Sequence, residues 1–317
     1  MTAHAEPLPA PAATSGPASP AATSGPASRA APAGLRAAGG LSLLTWPALD
    51  TSGADAAVTA RGGGVSSGPY ATLNLSLSVG DDPANVLENR RRLAAALGAR
   101  PGDFVFARQV HGAGVRIVGE ADRGSGAFTL DDAIADTDAL VTTSPGLVLA
   151  ILTADCVPVV LHDPVAGVLA CVHAGWRGTV ARVCAAAVAA MQTLGSRPSD
   201  IIAGLGPAVA PARYQVGPDV RQAVTRAFGP ASAAFLCPDQ AAPGRWLLDV
   251  WAANRHVLRE SGLPDPQIHV TNLATGPVNP NLTDPAGPGY FFSDRAARPC
   301  GRLALAARLR KPMDVRP

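Results

Sequence analysis

A succession of short apolar segments between residues 138 and 172 constrains the fold of this chain more than any other feature. The segments are rich in β-branched and aliphatic residues and are bounded by Gly, Pro or Asp, a pattern typical of buried strands. They are Asp138–Thr142, Leu147–Leu152, Val157–Leu161 and Val168–Val172. The amphipathic run Thr179–Leu194 follows and predicts one long helix packed on these strands.

Other segments extend the same mixture of strands and helices. Pro83 follows the N-cap residue Asp82 and begins a predicted helix that Gly98 ends. Further strands are predicted at Leu41–Trp46, Val58–Arg61, Ile201–Leu205 and Arg302–Leu309, and Phe104–Gly112 is predicted to be a strand that runs into a loop. Further helices are predicted at Pro218–Phe228 and Asp249–Ser261. Because strands and helices do not alternate regularly, we expect an α+β fold, an α/β sandwich of mixed β-sheets flanked by helices.

The first 40 residues differ in composition from the rest of the chain. They are mostly Ala, Pro, Ser, Thr and Gly, and the sequence PAATSGPAS occurs at Pro11–Ser19 and again at Pro20–Ser28. A segment with so little apolar surface cannot offset its chain entropy by burial. We therefore expect a disordered tail at 1–40 and a single catalytic domain at 41–317, since no second linker is apparent.

Charge and cysteine content narrow the classes of function. The 317 residues include 26 basic and 24 acidic residues, a net charge of +2, which does not indicate binding to nucleic acid or to a membrane surface. The sequence shows no secretory signal or membrane span. Five irregularly spaced cysteines do not form a disulfide pattern, so we expect a cytoplasmic protein with reduced thiols. We expect a monomer or a homodimer.

Three metal-ligating side chains lie at the ends of predicted strands. They are His111 in QVHG, Cys156 in TADC and His173 in HAGWRG. Two imidazoles and a thiolate suit zinc or copper(I), and three protein ligands leave a tetrahedral zinc one open position, as in catalytic sites. Spacing alone is weak support, because a lone histidine is more often a hydrogen-bonded loop residue and a lone cysteine is more often part of the core.

Four sequence blocks together resemble the YfiH-like family, also described as laccase-domain proteins or multicopper polyphenol oxidases and as purine nucleoside phosphorylases. These blocks are GPYATLNLSLSVGDDPANVLENRRRL, RQVHG, TADCVPVVLHDP and HAGWRGT, and the resemblance extends from about Leu41 to the C-terminus. It implies an α/β sandwich and zinc bound by His111, Cys156 and His173. It also implies phosphorolysis of adenosine, inosine, guanosine and methylthioadenosine, and deamination of adenosine. Zinc supports the second reaction by lowering the pKa of a bound water to about 7.

Further residues are candidates for substrate contacts or proton transfer. Arg177 lies where AGWRG opens the predicted helix, so it and the helix N-terminus are candidates for binding phosphate. Arg61 and Arg90 are further candidate cations, although Arg90, beside Arg91 and Arg92, also suits a solvated polar helix face. Asn74 is a candidate for bonding sugar hydroxyls, although it also suits a turn. Asp155, beside Cys156, is a candidate to orient a ligand or move a proton, or else to cap a loop. His111, Cys156 and His173 are candidates for catalysis as well as for metal binding.

The chain departs from the family pattern downstream of these blocks. Gln215 replaces a glutamate after Tyr214, and Asp294 replaces a tyrosine in the Phe-Phe-Ser-Tyr-Arg motif. Asn272 lies where a Cys-Thr pair is expected. These departures concern substrate preference more than metal binding.

Three other functions remain open. One is copper-dependent oxidation of phenols, although the chain has only six histidines, one of them in the tail. Another is an amide hydrolase of cell-wall precursor metabolism, with Cys156 as nucleophile and His111 or His173 as base. The last is a zinc-stabilised binding module, which needs a fourth ligand.

Overall fold

The structure, a computed structural model, describes residues 33–276 and 289–311. Two six-stranded mixed sheets form its centre. In spatial order, the first sheet contains β1 (Gly34–Ala38), β2 (Leu41–Thr45), β3 (Ala54–Thr59), β15 (Leu303–Leu309), β7 (Val148–Thr153) and β4 (Phe104–Phe106). The second contains β14 (Ile268–Val270), β10 (Ile202–Leu205), β8 (Val157–Asp163), β9 (Val168–Ala174), β6 (Ala139–Thr142) and β5 (Val115–Ile117).

Helices and a small third sheet complete the domain. The helices are α1 (Pro47–Ser52), α2 (Pro83–Ala96), α3 (Trp176–Val180), α4 (Val183–Thr193), α5 (Pro218–Phe228) and α6 (Val250–Glu260). The small sheet orders β11 (Gln215–Val216), β13 (Trp246–Leu248) and β12 (Leu236–Pro238). Within the described residues, no helix has both the length and the apolarity to cross a bilayer.

Alternate residues of the central strands face different layers. Val160 of β8 and Cys171 of β9 pack in the core that the two sheets share, whereas Val159 and Val172 pack with α4. The outer face of the first sheet packs on α2 through Leu93. Both faces of the central strands in each sheet are therefore buried, which explains why these strands are almost continuously apolar. The α+β sandwich with a single domain is confirmed.

The folded domain begins before the predicted boundary at residue 41. Strand β1 pairs with β2 in antiparallel register, from Gly34 opposite Thr45 to Ala38 opposite Leu41. Gly39 and Gly40, with φ of 56° and 79°, form the two-residue turn between them. The Ala-rich, mostly exposed β1 resembles the tail in composition, so the predicted tail of 1–40 is too long by this strand. Residues 1–32 lie outside the described part.

The predicted long helix Thr179–Leu194 is interrupted. Arg182, with φ of 65°, separates α3 from α4. Its guanidinium pairs with Glu260 and stacks on the ring of Phe228, both on other helices. The predicted apolar face still faces the core, where Val183 and Met191 are buried. Helix α3 has only five residues, so the helix N-terminus predicted to bind an anion is a single short turn.

Candidate functional site

His111, Cys156 and His173 lie together in the structure. Their ligand atoms are all within 4.8 Å of one another. The two imidazole rings are 4.7 Å apart between centroids and nearly perpendicular. His173 is buried, Cys156 is half-buried and His111 is exposed, so the cluster has one open side.

The register of the β8–β9 hairpin brings Cys156 to His173. In this register Pro158 lies opposite His173 and Val157 opposite Ala174. Cys156 directly precedes β8, so its thiol lies beside the end of β9. Strand β7, which ends shortly before Cys156 in sequence, belongs to a different sheet from β9 and does not bring the two residues together. The residues meet because of the following strand, β8.

The third ligand, His111, lies on a loop held by two side chains. Gln109 donates to the Leu152 carbonyl at 2.7 Å and accepts from the Leu152 amide at 2.8 Å, which fixes the loop to the end of β7. Asp138 accepts from the backbone amides of His111 and Gly112 at 3.0 and 2.7 Å. His111 has φ of 61°, an uncommon conformation outside glycine that these bonds hold in place.

Asp138 also orients His173. Its carboxylate lies 2.8 Å from His173 Nδ1, so that nitrogen donates and Nε2 is left as the ligand atom. Burial would raise the pKa of Asp138, but His173 and the amides of Gly112 and Val110 lower it. Asp138 is therefore an ionised, buried positioning residue.

The side chains of the cluster shift one another's pKa values. Burial alone would raise the pKa of Cys156, but the charges and hydrogen bonds of His173 and His111 lower it to about 6. Burial alone would lower the pKa of His173, but Cys156 and Asp138 raise it to about 9. The protein without metal thus holds a thiolate beside an imidazolium at neutral pH, a pair suited to metal binding or to nucleophilic attack.

The space around Cys156 suits a thiolate ligand. A Cβ atom added to Gly175 would lie 2.7 Å from Cys156 Sγ and 3.3 Å from His111 Cδ2, so only glycine leaves the thiol its place. Ligands at 2.0–2.3 Å from one tetrahedral ion are roughly 3.3–3.8 Å apart, and the three ligand atoms here all lie within 4.8 Å of one another. Nitrogen and sulfur donors with this geometry fit zinc or copper(I).

The cluster opens into a cavity of about 1460 Å³. Its wall includes the three candidate ligands, Asp155, Trp176, Tyr214 and several arginines, namely Arg108, Arg177, Arg245, Arg295, Arg298 and Arg302. Asp294 pairs with Arg298 and Arg302. Among the described residues, Arg108, Arg177 and Arg245 have no carboxylate partner, which leaves the wall rich in hydrogen-bond donors.

Asp155, predicted as a catalytic or capping residue, holds three segments together. One carboxylate oxygen accepts from the Thr275 hydroxyl, and the other accepts from the Arg295 amide at 2.7 Å. Its own carbonyl accepts from the Val209 amide at 3.0 Å. Asp155 has φ of 81°, a strained conformation that these bonds maintain. Its contacts are those of a residue that positions the cavity wall.

Three predicted substrate-binding residues do not belong to the cavity wall. Arg61 donates twice to the Ala71 carbonyl and stacks on Phe292. Asn74 is fully buried, where its amide nitrogen donates to the Ser76 carbonyl and to Asp81, and its oxygen accepts from the amides of Ser76 and Arg302. These contacts stabilise loops.

Arg90 is likewise an internal residue. It is 4% exposed, lies over the ring of Phe106 and donates to the carbonyls of Leu75, Gly126 and Ala127. The sequence had offered a solvated helix face as the alternative for Arg90, and the structure contradicts this as well.

Arg177 is the predicted cation that reaches the cavity. It is exposed and lies 4.5 Å from the centroid of the Trp176 ring. Two of the departures from the family pattern, Gln215 and Asp294, also line the cavity. Asn272 is not among the lining residues and adopts a left-handed conformation with φ of 54°.

Sequence reasoning missed four residues of the site. Asp138 had one signal, a carboxylate at the start of an otherwise apolar strand, and Gly175 had another, a glycine directly after a ligand histidine and its alanine. Tyr214 and Arg295 lie in two segments already noted as departures from the family pattern, but nothing in either segment indicated that the two residues meet at one cavity.

Comparison with known proteins places the chain in one family. Residues 55–310 match the family described as multi-copper polyphenol oxidoreductase laccase. The chain is 40% identical over 225 residues to purine nucleoside phosphorylase YlmD of Geobacillus stearothermophilus, covering 71% of this chain and 81% of the relative. It is 45% identical over 226 residues to a purine nucleoside phosphorylase of Deinococcus radiodurans, with the same coverage.

A solved structure agrees with this grouping. The crystal structure of Bacillus licheniformis hypothetical protein YfiH is 33% identical and has a TM-score of 0.76, covering 84% of this chain and 96% of that one. The matched region contains all three candidate ligands and the whole cavity wall. The chain therefore belongs to the YfiH-like, laccase-domain family.

Proposed function

We propose that the protein is a zinc-dependent purine nucleoside phosphorylase that also deaminates adenosine. The observation that carries the proposal is a His111–Cys156–His173 cluster opening into a cavity lined by arginines. Relatives named purine nucleoside phosphorylases support it. The substrates proposed are adenosine, inosine, guanosine and methylthioadenosine, and the free thiols fit a cytoplasmic protein.

The protein residues prepare the site for a metal. Asp138 holds His173 with Nε2 free, and the loop bonds of Gln109 and Asp138 present His111. Cys156 is a thiolate at neutral pH because of the two imidazoles. When bound, zinc supplies a Lewis acid that activates water for deamination.

Phosphorolysis requires an anion site in the same cavity. A phosphate oxygen forms a bond to C1′ of the ribose while the bond from C1′ to the purine nitrogen breaks, and that nitrogen keeps the electron pair and gains a proton. Arg177 is an exposed cation on the wall without a carboxylate partner, and its stacking on Trp176 limits its mobility. The cavity exceeds the ~300–1,000 Å³ of ordinary ligand sites, so it has room for nucleoside and phosphate together.

A nucleoside panel with and without phosphate tests the proposal. We expect free base and ribose 1-phosphate from purine nucleosides, and inosine from adenosine, by chromatography. Arg177→Ala should weaken phosphorolysis while deamination and zinc content remain. Arg221→Ala is the matched control, because Arg221 also stacks on a tryptophan, Trp246, but does not line the cavity. Base release at an equal rate without phosphate would mean hydrolysis and contradict the proposal.

Metal analysis tests the zinc assignment. Protein purified without added metal should contain one zinc per chain, and Cys156→Ala should contain none. Cys237→Ala is the control, because Cys237 is an exposed thiol away from the cluster. A full complement of zinc in Cys156→Ala, or copper in place of zinc in the wild type, would overturn the zinc assignment. A copper result would favour the phenol oxidase named in the family description.

The position of the Cys156 thiol against the imidazoles of His111 and His173, together with its pKa of about 6, favours a second candidate, a thiol amide hydrolase with an imidazole base. Chelation separates the two functions. A metal-dependent phosphorylase loses activity when zinc is removed, whereas a thiol hydrolase keeps it and is inactivated by alkylation of Cys156.

A further inference from the structure

The hydroxyl of Tyr214 has no hydrogen-bond partner within residues 33–276 and 289–311. The backbone of Tyr214 is fixed, because its amide donates to the Pro211 carbonyl and its carbonyl accepts from the Leu248 amide, both at 3.1 Å. The side chain is half-buried and lines the cavity. A fixed phenol that faces a cavity without a protein partner is available to a bound molecule.

Arg295 lies against this phenol and is fixed at both ends. Its guanidinium carbon is 5.4 Å from the centroid of the Tyr214 ring, and Nη2 donates to the Gln215 carbonyl at 2.6 Å. Its backbone amide donates to Asp155 at 2.7 Å. A guanidinium carries five N–H donors, so most of those on Arg295 remain available.

Two cations and two anions act electrostatically on the Tyr214 phenol. Arg295 and Arg177 both act on the phenol electrostatically. The nearby carboxylate of Asp155 is already occupied on both oxygens, by Thr275 and by the Arg295 amide. Burial, followed by the charge of Cys156, raises the pKa of Tyr214, so the phenol stays protonated and is a donor at neutral pH.

We propose that Tyr214 and Arg295, together with Arg177, bind the phosphate used in phosphorolysis. The inference rests on the proposed function and adds residues to that site. The three side chains are a phenol donor and two guanidinium groups, and together they match a tetrahedral oxyanion rather than a purine edge, which offers both donors and acceptors. Loss of a hydrogen bond from the Tyr214 hydroxyl to a charged phosphate should weaken phosphate binding by about tenfold or more.

Paired variants test the assignment in the zinc-loaded protein. Tyr214→Phe should raise the KM for phosphate by about tenfold and leave the KM for inosine and the rate of adenosine deamination unchanged. Tyr70→Phe is the control, because its hydroxyl donates to the Val79 carbonyl and Tyr70 does not line the cavity. Arg295→Gln should act like Tyr214→Phe, with Arg221→Gln as control. An unchanged KM for phosphate, or an equal fall in deamination, would overturn the proposal.

Binding of inorganic phosphate gives a second readout without turnover. Phosphate should raise the Tm of the wild type and of Tyr70→Phe with the same concentration dependence, and Tyr214→Phe should need about tenfold more phosphate for the same shift. A wild type that binds phosphate in this way but cleaves no nucleoside would contradict the proposed function and leave the phosphate site in place. Identical shifts in all three proteins would reject the site itself.

Discussion

The Asp138 carboxylate lies 2.8 Å from Nδ1 of His173, and the two groups are almost fully buried. The same carboxylate accepts from backbone amides of the loop that carries His111. One buried side chain thus fixes two of the three candidate ligands. Replacement of Asp138 should therefore affect the metal before it affects the fold.

Asp138→Asn should lower zinc affinity by roughly 10–100-fold, the usual effect of losing a residue that orients a ligand histidine. An amide offers one acceptor atom where the carboxylate offers two, so either the histidine or the loop loses its partner. Competition with a chelator of known affinity measures the change. Asp163→Asn is the control, since Asp163 is a buried carboxylate that caps the backbone of Val165, Ala166 and Arg197. Equal loss of zinc in both variants would indicate general destabilisation.

Gly175→Ala should remove the metal and the activity while leaving the circular dichroism spectrum unchanged. The added methyl group would lie 2.7 Å from Cys156 Sγ, so the thiol must move away from the two histidines. Gly62→Ala provides the comparison, because an added Cβ at Gly62 meets no atom within 4 Å. Zinc at wild-type stoichiometry in Gly175→Ala would show that the thiol tolerates displacement.

His162 should make the protein less stable in mild acid. It is 2% exposed with Nδ1 2.9 Å from Ser52 Oγ, and burial lowers its pKa to about 4. Below its ordinary pKa of about 6.5, the unfolded chain binds a proton that the folded chain does not. As the pH decreases from about 6.5 to about 4, the free energy of unfolding should therefore decrease, by up to about 1.4 kcal/mol per pH unit.

Urea unfolding of wild type and His162→Gln from pH 8 to pH 4 measures this contribution. The difference in unfolding free energy between the two proteins should be constant above pH 7.5 and should shrink below pH 6.5. A difference that stays constant throughout the range would show that His162 is not buried in its neutral form.

The extent of the N-terminal tail is tested by two deletions. Removal of residues 1–32 should leave the Tm and turnover nearly unchanged, because the repeats contain almost no large apolar side chain. Removal of residues 1–40 also deletes β1 and exposes the edge of β2, so it should lower the Tm. Equal Tm values for both truncated proteins would mean that β1 contributes little, and a large loss on the first deletion would mean that the tail packs on the domain.

The strands and the group of three candidate ligands that lie together in the structure were both apparent in the sequence, for one reason. Apolar side chains and metal donors are properties of the residue itself, so Val157–Leu161 and the set His111, Cys156 and His173 are visible without coordinates. Hydrogen bonds to backbone carbonyls cannot be predicted in this way, because every residue has a carbonyl and the sequence does not show which one a side chain will contact. The sequence therefore suggests a polar helix face for Arg90, although three backbone carbonyls and the Phe106 ring enclose its side chain.

The break at Arg182 and the roles of Tyr214 and Arg295 were hidden for a related reason. Their partners are distant in sequence, as with Arg182 and Glu260 or Arg295 and Asp155. Local patterns carry no information on such pairs, and these pairs decide where a helix ends and which loops enclose a cavity.

The position of β15 has a consequence for how the chain folds. This last strand lies between β3 and β7, so Ala307 is paired with Ala56 on one side and Leu149 on the other. Because β15 pairs with strands that are far away in sequence, folding must close long loops, and this slows folding. Until the loops close, the edges of the unpaired strands stay exposed. A growing chain cannot complete its first sheet until residues near 309 are available. Ribosome-bound chains that stop short of residue 303 should therefore remain sensitive to protease and dependent on chaperones, even though all three candidate ligands are already present.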